Sequence, residues 1–308
     1  MSTTLTMRGD FSGEVPVDRN TPILSVVTAK EETMETTAPA AVASARTPFS
    51  ESLNAVLRTI LPPVLGVLLL VGVWYVATLS GGAIPGPLAV WDAATQLFAD
   101  PFYDNGPNDQ GIGWNVLASL ERVGIGFGLA ALVGIPLGFM LGRFAFLSSM
   151  INPIISLLRP VSPLAWLPIG LLVFQKADPA ATWTIFICSI WPMIMNTAQG
   201  VQRVPQDYLN VARVLDLSEW KIVTKILFPA VLPYMLTGIR LSIGTAWLVI
   251  VAAEMLTGGV GIGFWVWDEW NNLKVEHIII AIFIIGIVGL ILEQALILLA
   301  KKLTKESS

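Results

Sequence analysis

The sequence has little charge, one cysteine and one histidine. Only 13% of its 308 residues are charged, 54% are hydrophobic, and the mean hydropathy is +0.70. Soluble domains carry about 25% charged residues, so this composition excludes an ordinary soluble protein. It predicts an all-α protein that crosses the membrane several times and keeps much of its surface in lipid.

The scarcity of cysteine and histidine excludes several kinds of site. A single cysteine, Cys188, cannot form an intrachain disulfide or a cysteine-based metal centre. The single histidine, His277, stands beside charged residues at the edge of an apolar segment, which is more typical of a membrane interface than of a proton relay. A net charge of −4, without a cluster of Lys or Arg, argues against nucleic acid as a partner.

Residues 1–50 differ from the remainder of the chain. They are polar, with one short apolar patch at Ile23 to Val27, and such a composition buries too little surface to fold alone. They lack the long apolar stretch of a secretory signal, and their acidic residues argue against an organellar transit peptide. We therefore expect a disordered cytoplasmic tail over residues 1–50 and a transmembrane domain over residues 51–308.

Six charge-poor stretches are long enough to cross a bilayer, which requires about 20 apolar residues of helix. The third is broken by Arg159, Pro160, Pro163 and Pro168, so we expect one kinked or discontinuous span there. On the second, glycines at four-residue spacing predict close helix packing, namely Gly134, Gly138 and Gly142. The six stretches are Leu61 to Ser80, Val123 to Gly142, Phe144 to Gln175, Pro179 to Val201, Ile226 to Leu256, and Ile278 to Leu292 with an extension to Ala300.

The distribution of Lys and Arg predicts the orientation. The loop from Gly81 to Leu120 holds aspartates but no Lys or Arg, whereas the segment from Gln202 to Lys225 and the tail beyond Ala300 are basic. Both termini are therefore expected in the cytoplasm. The tryptophans between the last two spans are then expected at the outer membrane interface, where amphipathic rings are favoured; they are Trp265, Trp267 and Trp270.

The connection from Gln202 to Lys225 carries a helical pattern. After Pro205, which suits a first helical turn, apolar residues recur at the i, i+3, i+4 and i+7 positions of an amphipathic helix. A short helix along the cytoplasmic face, between two spans, is suited to docking on a partner. The apolar positions are Tyr208, Val211, Ala212 and Leu215, and the other faces hold Gln206, Asp207, Asn210 and Arg213.

This connection resembles a cytoplasmic motif in the permeases of ATP-binding cassette (ABC) importers. The motif reads Glu-Ala-Ala, three residues, Gly, nine residues, then Ile-x-Leu-Pro. Asn210-Val211-Ala212, Asp216 and Ile226-Leu227-Phe228-Pro229 keep the whole spacing but depart from the motif at four positions. Asp216 replaces the glycine, and aspartate tolerates the left-handed backbone better than most residues.

The resemblance implies the type I ABC importer permease fold in a multi-pass protein of the bacterial inner membrane. In that family the motif forms the coupling helix, here residues 205–217 of the permease domain, which inserts into a groove on the ATP-binding subunit. Implied partners are a second copy of the chain, ATP-binding cassette subunits, an extracytoplasmic solute-binding protein and membrane lipid. The implied coupling residues are Asp207, Tyr208, Asn210, Val211, Ala212, Arg213 and Asp216.

We expect no cofactor in this chain and ATP on the partner subunit. The phosphate-binding pattern G-x-x-x-x-G-K-[ST] is absent from the sequence, so the chain is predicted to be a non-catalytic transport subunit. A membrane-embedded enzyme would need clustered catalytic His, Asp or Glu on the spans. A channel or secondary transporter would leave the patterned connection unexplained, and internal inverted repeats are not apparent.

Other segments look like the nitrate, sulfonate, taurine and bicarbonate branch of these permeases. They are Arg159 to Pro168, Thr245 to Met255 and Gly258 to Gly263. The outer loop Asp100 to Gly113 and the segment Pro205 to Tyr208 are most similar to nitrate permeases and their bicarbonate relatives. The resemblance implies a small inorganic anion as cargo, with nitrate first and nitrite or cyanate as additions. Bicarbonate and sulfonate or taurine stay open.

Charged residues inside a span cost about 2.5–3.5 kcal/mol on insertion scales and usually face an interior or a pathway. Arg159 and Arg240 could attract an anion, or Arg159 could bond to loosened carbonyls and Arg240 could lie near the inner end of its helix. Glu254 would repel an anion, so we expect it to pair with a cation, cap glycine-rich backbone or lie near the outer surface. Trp166 and Trp247 could narrow the pathway or pack between helices; the candidate pathway residues are Arg159, Trp166, Arg240, Trp247 and Glu254.

Overall fold

The computed structural model describes residues 48–107 and 109–306, so most of the expected N-terminal tail lies outside the described residues. The described part is helical and contains no strand, only an isolated bridge between Asp104 and Gln110. The all-α prediction is confirmed. The chain divides into two compact units, residues 1–65 and 66–308. The described residues of the first unit are helical, and the second unit contains the sites discussed below.

The helices follow one another with short connections. A π-helical turn, Val223–Leu227, separates α8 from α9, and such turns are rare inside helices. The helices are α1 Pro48–Thr78, α2 Pro87–Leu97, α3 Ile112–Arg143, α4 Ala145–Leu158, α5 Pro163–Phe174, α6 Ala177–Gln202, α7 Gln206–Val214, α8 Glu219–Ile222, α9 Phe228–Thr257, α10 Ile262–Asn271 and α11 Val275–Glu306.

Composition alone supports fewer spans than the six expected from the sequence. Four helical segments of the described chain are long and apolar enough to cross a membrane, and α4 with α5, bent by 100°, makes a fifth if the pair is one span. The expected fourth span, α6, is long enough at 26 residues but is not among them. Half of its residues are buried, so much of α6 is surrounded by protein. Because those positions do not face lipid, α6 can carry polar side chains. The four segments are Arg58–Thr78, Ile112–Arg143, Glu219–Thr257 and Val275–Lys302.

The glycine ridge of α3 packs directly against α6. A Cβ atom built on Gly138 would lie 2.6 Å from the Thr197 Cβ and 2.8 Å from the Ile194 carbonyl oxygen. On Gly142 it would lie 2.5 Å from the Val201 Cβ. Real side chains do not approach so closely, so these glycines let the two helix backbones come together.

Adding a methyl group to this ridge should therefore destabilise the bundle. We expect Gly138→Ala to lower the free energy of unfolding by about 1–3 kcal/mol, the usual cost of overpacking. Thermal unfolding of the purified protein in detergent measures the effect. Gly128→Ala is the matched control on the same helix, because nothing lies within 4 Å of its added Cβ. Equal melting temperatures for the two variants would contradict the close packing of α3 on α6.

The three tryptophans expected at the outer interface do not share one environment. All three lie on α10, but Trp265 is buried and its ring stacks on His277 with centroids 5.8 Å apart. Trp267 and Trp270 are exposed. The Nδ1 atom of His277 lies 3.1 Å from the buried carboxylate of Glu269, so the single histidine belongs to a packed cluster between α10 and α11.

Candidate functional site

The short helix α7 is held to the bundle by one side. Leu209 and Ala212 are buried in an apolar cluster with Val201, Ile222 and Leu227. Ala212 is only 1% exposed. The sequence pattern assigned Ala212 to the same apolar face as Tyr208, Val211 and Leu215, and this assignment differs from the structure. Ala212 packs inward with Leu209, a position that the pattern did not include.

The adjacent side of α7 presents apolar side chains that nothing in the described chain covers. Tyr208 is 61% exposed and Val211 is 58% exposed. We call the exposed apolar residues of this connection the α7 face; they are Tyr208, Val211, Val214, Leu215 and Trp220. The polar coupling candidates Asp207, Asn210 and Arg213 are also exposed, and an Arg213 Nη1 donates to Asn210 Oδ1 at 3.2 Å.

The backbone leaves α7 through a left-handed residue at the position where the motif has glycine. Asp216 has a φ of +48°, a conformation that is uncommon for residues other than glycine and that aspartate adopts more readily than most. The Asp216 N–H donates to the Arg213 carbonyl and the Leu217 N–H donates to the Ala212 carbonyl, each at 3.0 Å. The substitution of aspartate for glycine is therefore compatible with a tight turn between α7 and α8.

Arg159 lies at the bend between α4 and α5. Its Nη1 atom is 3.3 Å from the Met195 sulfur, and no carboxylate in the described part of the chain lies within ion-pair distance of it. It lines a cavity of about 470 Å³ with Ile155, Ser156, Pro160 and Met195. Arg159 is thus an exposed cation whose charge is not neutralised by a neighbouring acid.

Arg240 and Trp247 line one face of α9, beside a cavity of about 740 Å³ between α9 and α11. Arg240 Nε donates to Glu293 Oε1 at 2.9 Å, so its charge is neutralised by an acid on α11.

Trp247 is buried and its Nε1 donates to the Ile285 carbonyl at 2.9 Å. Trp166 is half-buried and packs against the main apolar core. Trp247 and Trp166 therefore pack between helices, and neither lines the cavity beside Arg159.

Glu254 lies near the end of α9 and is 1% exposed. Arg122 Nη1 donates to its Oε1 at 2.6 Å, and the Ser119 hydroxyl is 2.8 Å from each carboxylate oxygen. The Gly263 N–H donates to its Oε2 at 3.0 Å. Two of the roles considered from the sequence occur together, because Glu254 pairs with a cation and also caps glycine-rich backbone.

The same network holds the whole turn between α9 and α10. The Ile262 N–H donates to the Ser119 hydroxyl and the Gly261 N–H donates to Asn115 Oδ1, each at 2.9 Å. A Cβ on Gly261 would lie 2.6 Å from the carboxylate oxygens of Glu254, so the close approach requires glycine. Three consecutive backbone donors are thus satisfied by side chains of α3 and α9.

Arg122 connects this network to a third helix. Its Nε and Nη2 atoms lie 3.0 and 2.8 Å from Asp178 Oδ1 at the start of α6. Sequence reasoning missed Arg122 and its neighbours Asn115 and Ser119. Their spacing of four and three residues along α3 is the pattern that could have identified a polar stripe on one helix face.

We call Asn115, Ser119, Arg122, Asp178 and Glu254 the Arg122 network. Because its members are buried or half-buried, apart from the exposed Asp178, and are linked by hydrogen bonds, it joins α3, α6, α9 and the glycine turn. Of the five candidate pathway residues, Glu254 belongs to the Arg122 network and the other four do not. Within the described residues, no group of His, Cys, Asp or Glu is arranged to hold a metal ion.

Comparison with known proteins identifies the family. Residues 134–305 match the family described as the binding-protein-dependent transport system inner membrane component. The nitrate import permease protein NrtB of Synechocystis sp. is 48% identical over 236 residues, which cover 76% of this chain and 86% of that protein. The bicarbonate transport system permease protein CmpB of the same organism is 46% identical over 246 residues, covering 79% and 88%.

A solved structure supports the fold. One inward-facing crystal form of the MetNI methionine ABC transporter aligns with a TM-score of 0.52 at 14% sequence identity, covering 63% of this chain and 94% of that chain. At this identity the likeness concerns the fold alone. Together with the matches in sequence, it means that the chain belongs to the inner membrane components of binding-protein-dependent transport systems, in the nitrate and bicarbonate branch of the ABC importer permeases.

Proposed function

We propose that this chain forms the membrane pathway of an ATP-driven importer of nitrate. The identity of 48% with a nitrate import permease supports this cargo. A bicarbonate permease at 46% identity makes bicarbonate the second candidate. Nitrite and cyanate are small anions of the same charge and are candidates for additional cargo, and taurine or another sulfonate is a larger alternative.

The observation that carries the choice of an anion is the exposed charge of Arg159. A guanidinium presents several N–H donors in one plane, which suits a planar oxyanion. Within the described residues, the Arg159 guanidinium makes a polar contact with the Met195 sulfur and with no other group. Met195 precedes Gln202, the last residue of α6, by seven positions, which corresponds to about 10 Å of helix. This position supports a weak anion site within the membrane on the α7 side.

Arg240 is a less suitable anion site. Its partner Glu293 already neutralises it, and an anion would have to displace that carboxylate. We therefore assign the attraction of the anion to Arg159, with Arg240 holding α9 against α11. Trp166, Trp247 and Glu254 are assigned to packing and to the Arg122 network, so they position the pathway helices without contacting the cargo.

The test is uptake of labelled nitrate into proteoliposomes that contain the chain with its ATP-binding and solute-binding partners. We expect Arg159→Gln to lower uptake by about tenfold or more, since hydrogen bonds to a charged group contribute about 1.5–3 kcal/mol. Arg159→Lys should keep part of the activity because it keeps the charge. Arg240→Gln is the matched control and should have the smaller effect.

Competition by unlabelled anions then identifies the cargo. We expect excess nitrate to abolish uptake of the label and bicarbonate or taurine to leave most of it. Stronger inhibition by bicarbonate than by unlabelled nitrate would make bicarbonate the cargo. Full uptake by the Arg159→Gln protein would show that Arg159 does not contribute to the anion pathway.

The α7 face is our proposed docking surface for the ATP-binding subunit, and ATP would bind only to that partner. Exposed aromatic and aliphatic side chains are typical of the buried centre of a protein interface. Arg143, at the end of α3, donates to Glu219 at 2.8 Å beside this surface. Arg203 precedes α7 and Arg213 lies in its last turn, so the positive-inside rule supports a cytoplasmic location for α7 and for both termini. A second copy of the chain would complete the pathway.

A further inference from the structure

A separate cavity of about 620 Å³ lies between α3, the end of α5 and α6. It contains neither Arg159 nor Arg240, and we call it the α3–α6 cavity. Charged side chains line one end, namely Glu121, Arg122 and Asp178. The remaining wall is mostly apolar and includes Ile125, Leu129, Val133, Phe174, Trp183 and Phe186.

The charged end of this cavity lies at a membrane surface. Residues 123–142 of α3 carry no charged side chain, and Arg122 and Arg143 bracket them. About 20 residues of helix cross the hydrocarbon core, which is the length of this uncharged stretch. Because Arg143 pairs with Glu219 beside α7, Arg122 lies at the opposite surface, and the cavity extends from there into the hydrocarbon.

The apolar part of the cavity has the dimensions and the environment of an acyl chain. From Arg122 to Val133 the helix rises about 16 Å. Phe174, Trp183 and Phe186 form a continuous aromatic wall, with ring centroids 6.2 and 5.8 Å apart. Ile125 and Leu129 are exposed, so the cavity opens sideways, where a membrane supplies lipid tails.

The charged end carries an excess of negative charge. Arg122 is shared between Asp178 and the buried Glu254, so its single positive charge is more than neutralised. Both of its contacts with Asp178 are made to Oδ1, and the Asp178 side chain is 72% exposed. Glu121 is exposed and also lines the cavity. Ionised carboxylates only accept hydrogen bonds, so this end favours an ammonium group and disfavours an anion.

We propose that the α3–α6 cavity binds one zwitterionic phospholipid with a primary ammonium headgroup. The ammonium group lies at the carboxylates of Asp178 and Glu121, and one acyl chain follows α3 past Ile125 and Leu129 to Val133. A primary ammonium has three N–H donors, whereas a quaternary ammonium has none and an anionic headgroup is repelled. The lipid fills the space between α3, α5 and α6, next to the Arg122 network.

Native mass spectrometry of the full chain, delipidated in detergent, tests this proposal. Phosphatidylethanolamine, phosphatidylcholine and phosphatidylglycerol with identical acyl chains are titrated separately. We expect one phosphatidylethanolamine to bind about tenfold more tightly than phosphatidylglycerol, with phosphatidylcholine in between. Equal affinity for phosphatidylglycerol would overturn the proposal.

Two kinds of variant separate the headgroup contact from the chain contact. Glu121→Gln and Asp178→Asn should each reduce the preference for phosphatidylethanolamine, and Glu121→Gln leaves the contacts of Arg122 intact. Asp92→Asn on α2 is the matched control for charge and should change nothing. Leu129→Trp should block binding of all three lipids by filling the cavity.

Two results would assign the cavity differently. Unchanged lipid binding by the Leu129→Trp protein would place the lipid elsewhere and overturn the proposal. Dissociation of a dimer by Leu129→Trp, without loss of a bound lipid, would show that a second copy of the chain covers this surface and would also overturn it. The test does not depend on nitrate transport, so its failure would leave the proposed function unaffected.

Discussion

Replacing Val211 with glutamate is expected to abolish ATP-driven nitrate uptake while the folded chain remains in the membrane. Val211 is 58% exposed at the centre of the α7 face, and a single buried charge without a partner is strongly unfavourable in an interface. The few residues that dominate binding cluster near the centre of an interface, and disrupting one of them costs about 2 kcal/mol or more. Uptake into proteoliposomes and co-purification of the ATP-binding subunit should therefore both be lost.

The matched control is Gln206→Glu, which adds the same charge to an exposed polar position of α7. It should leave uptake and co-purification close to those of the unmodified protein. Ala212 is unsuitable for this test because it is buried in the chain's own core, where a charge would disrupt folding before it affected docking. Normal uptake and co-purification by a stable Val211→Glu protein would exclude the α7 face as the docking surface.

The second large effect is expected at Glu254. In the Glu254→Ala protein, Arg122 would lose its shortest ion pair and the Gly263 N–H would lose its acceptor. Removing one partner of a buried ion pair costs about 3–5 kcal/mol, a large part of the 5–15 kcal/mol that typically separates folded from unfolded protein. We expect a several-fold lower yield of folded protein in the membrane and a clearly lower melting temperature.

Glu293→Ala provides the comparison, because it also removes a carboxylate from an arginine. The Arg240–Glu293 pair is about half exposed, and exposed pairs contribute about 0–1 kcal/mol. Its effect on stability should therefore be small. Glu254→Gln should lie between the two, since the amide still accepts a hydrogen bond from Gly263 but carries no charge. Equal losses for Glu254→Ala and Glu293→Ala would show that the Arg122 network does not stabilise the bundle.

Several features of the fold could be predicted from the sequence because they depend on local pattern. The prolines after Arg159 predicted a break in the third span, and α4 and α5 meet there at 100°. The spacing after Pro205 predicted a short helix, and α7 begins at Gln206. Glycines at four-residue spacing predicted close packing, and Gly138 and Gly142 contact α6.

The buried side of α7 could not be read from its pattern. Apolar residues follow two adjacent stripes of the helix, one with Leu209 and Ala212 and one with Tyr208 and Val211. Helical periodicity identifies both stripes but does not decide which of them packs against the chain. Packing in the apolar cluster with Val201 of α6, Ile222 of α8 and Val231 of α9 decides this, and the pattern of α7 by itself carries no information on that packing.

The partners of Glu254 could not be predicted from local sequence patterns either. Arg122 precedes Glu254 by 132 residues, and it stands just before the uncharged run that the sequence defines as a span. Local pattern therefore left three possible environments for Glu254 and did not indicate that two of them coexist. Hydropathy likewise fails to identify α6 as a membrane span, because buried polar side chains that face neighbouring helices lower its mean value.

The choice between nitrate and bicarbonate is not decided by Arg159, since both anions are small, planar and singly charged.

Site-directed cross-linking tests most directly whether the α7 face contacts the ATP-binding subunit. Cys188 is the only cysteine and is buried, so Cys188→Ser followed by Val211→Cys gives a chain with a single thiol at the α7 face. With a short thiol-reactive cross-linker in intact membranes, we predict a covalent adduct between this chain and the ATP-binding subunit, and none when the thiol is introduced instead by Trp267→Cys on α10. An adduct from Trp267→Cys and none from Val211→Cys would contradict the proposed coupling.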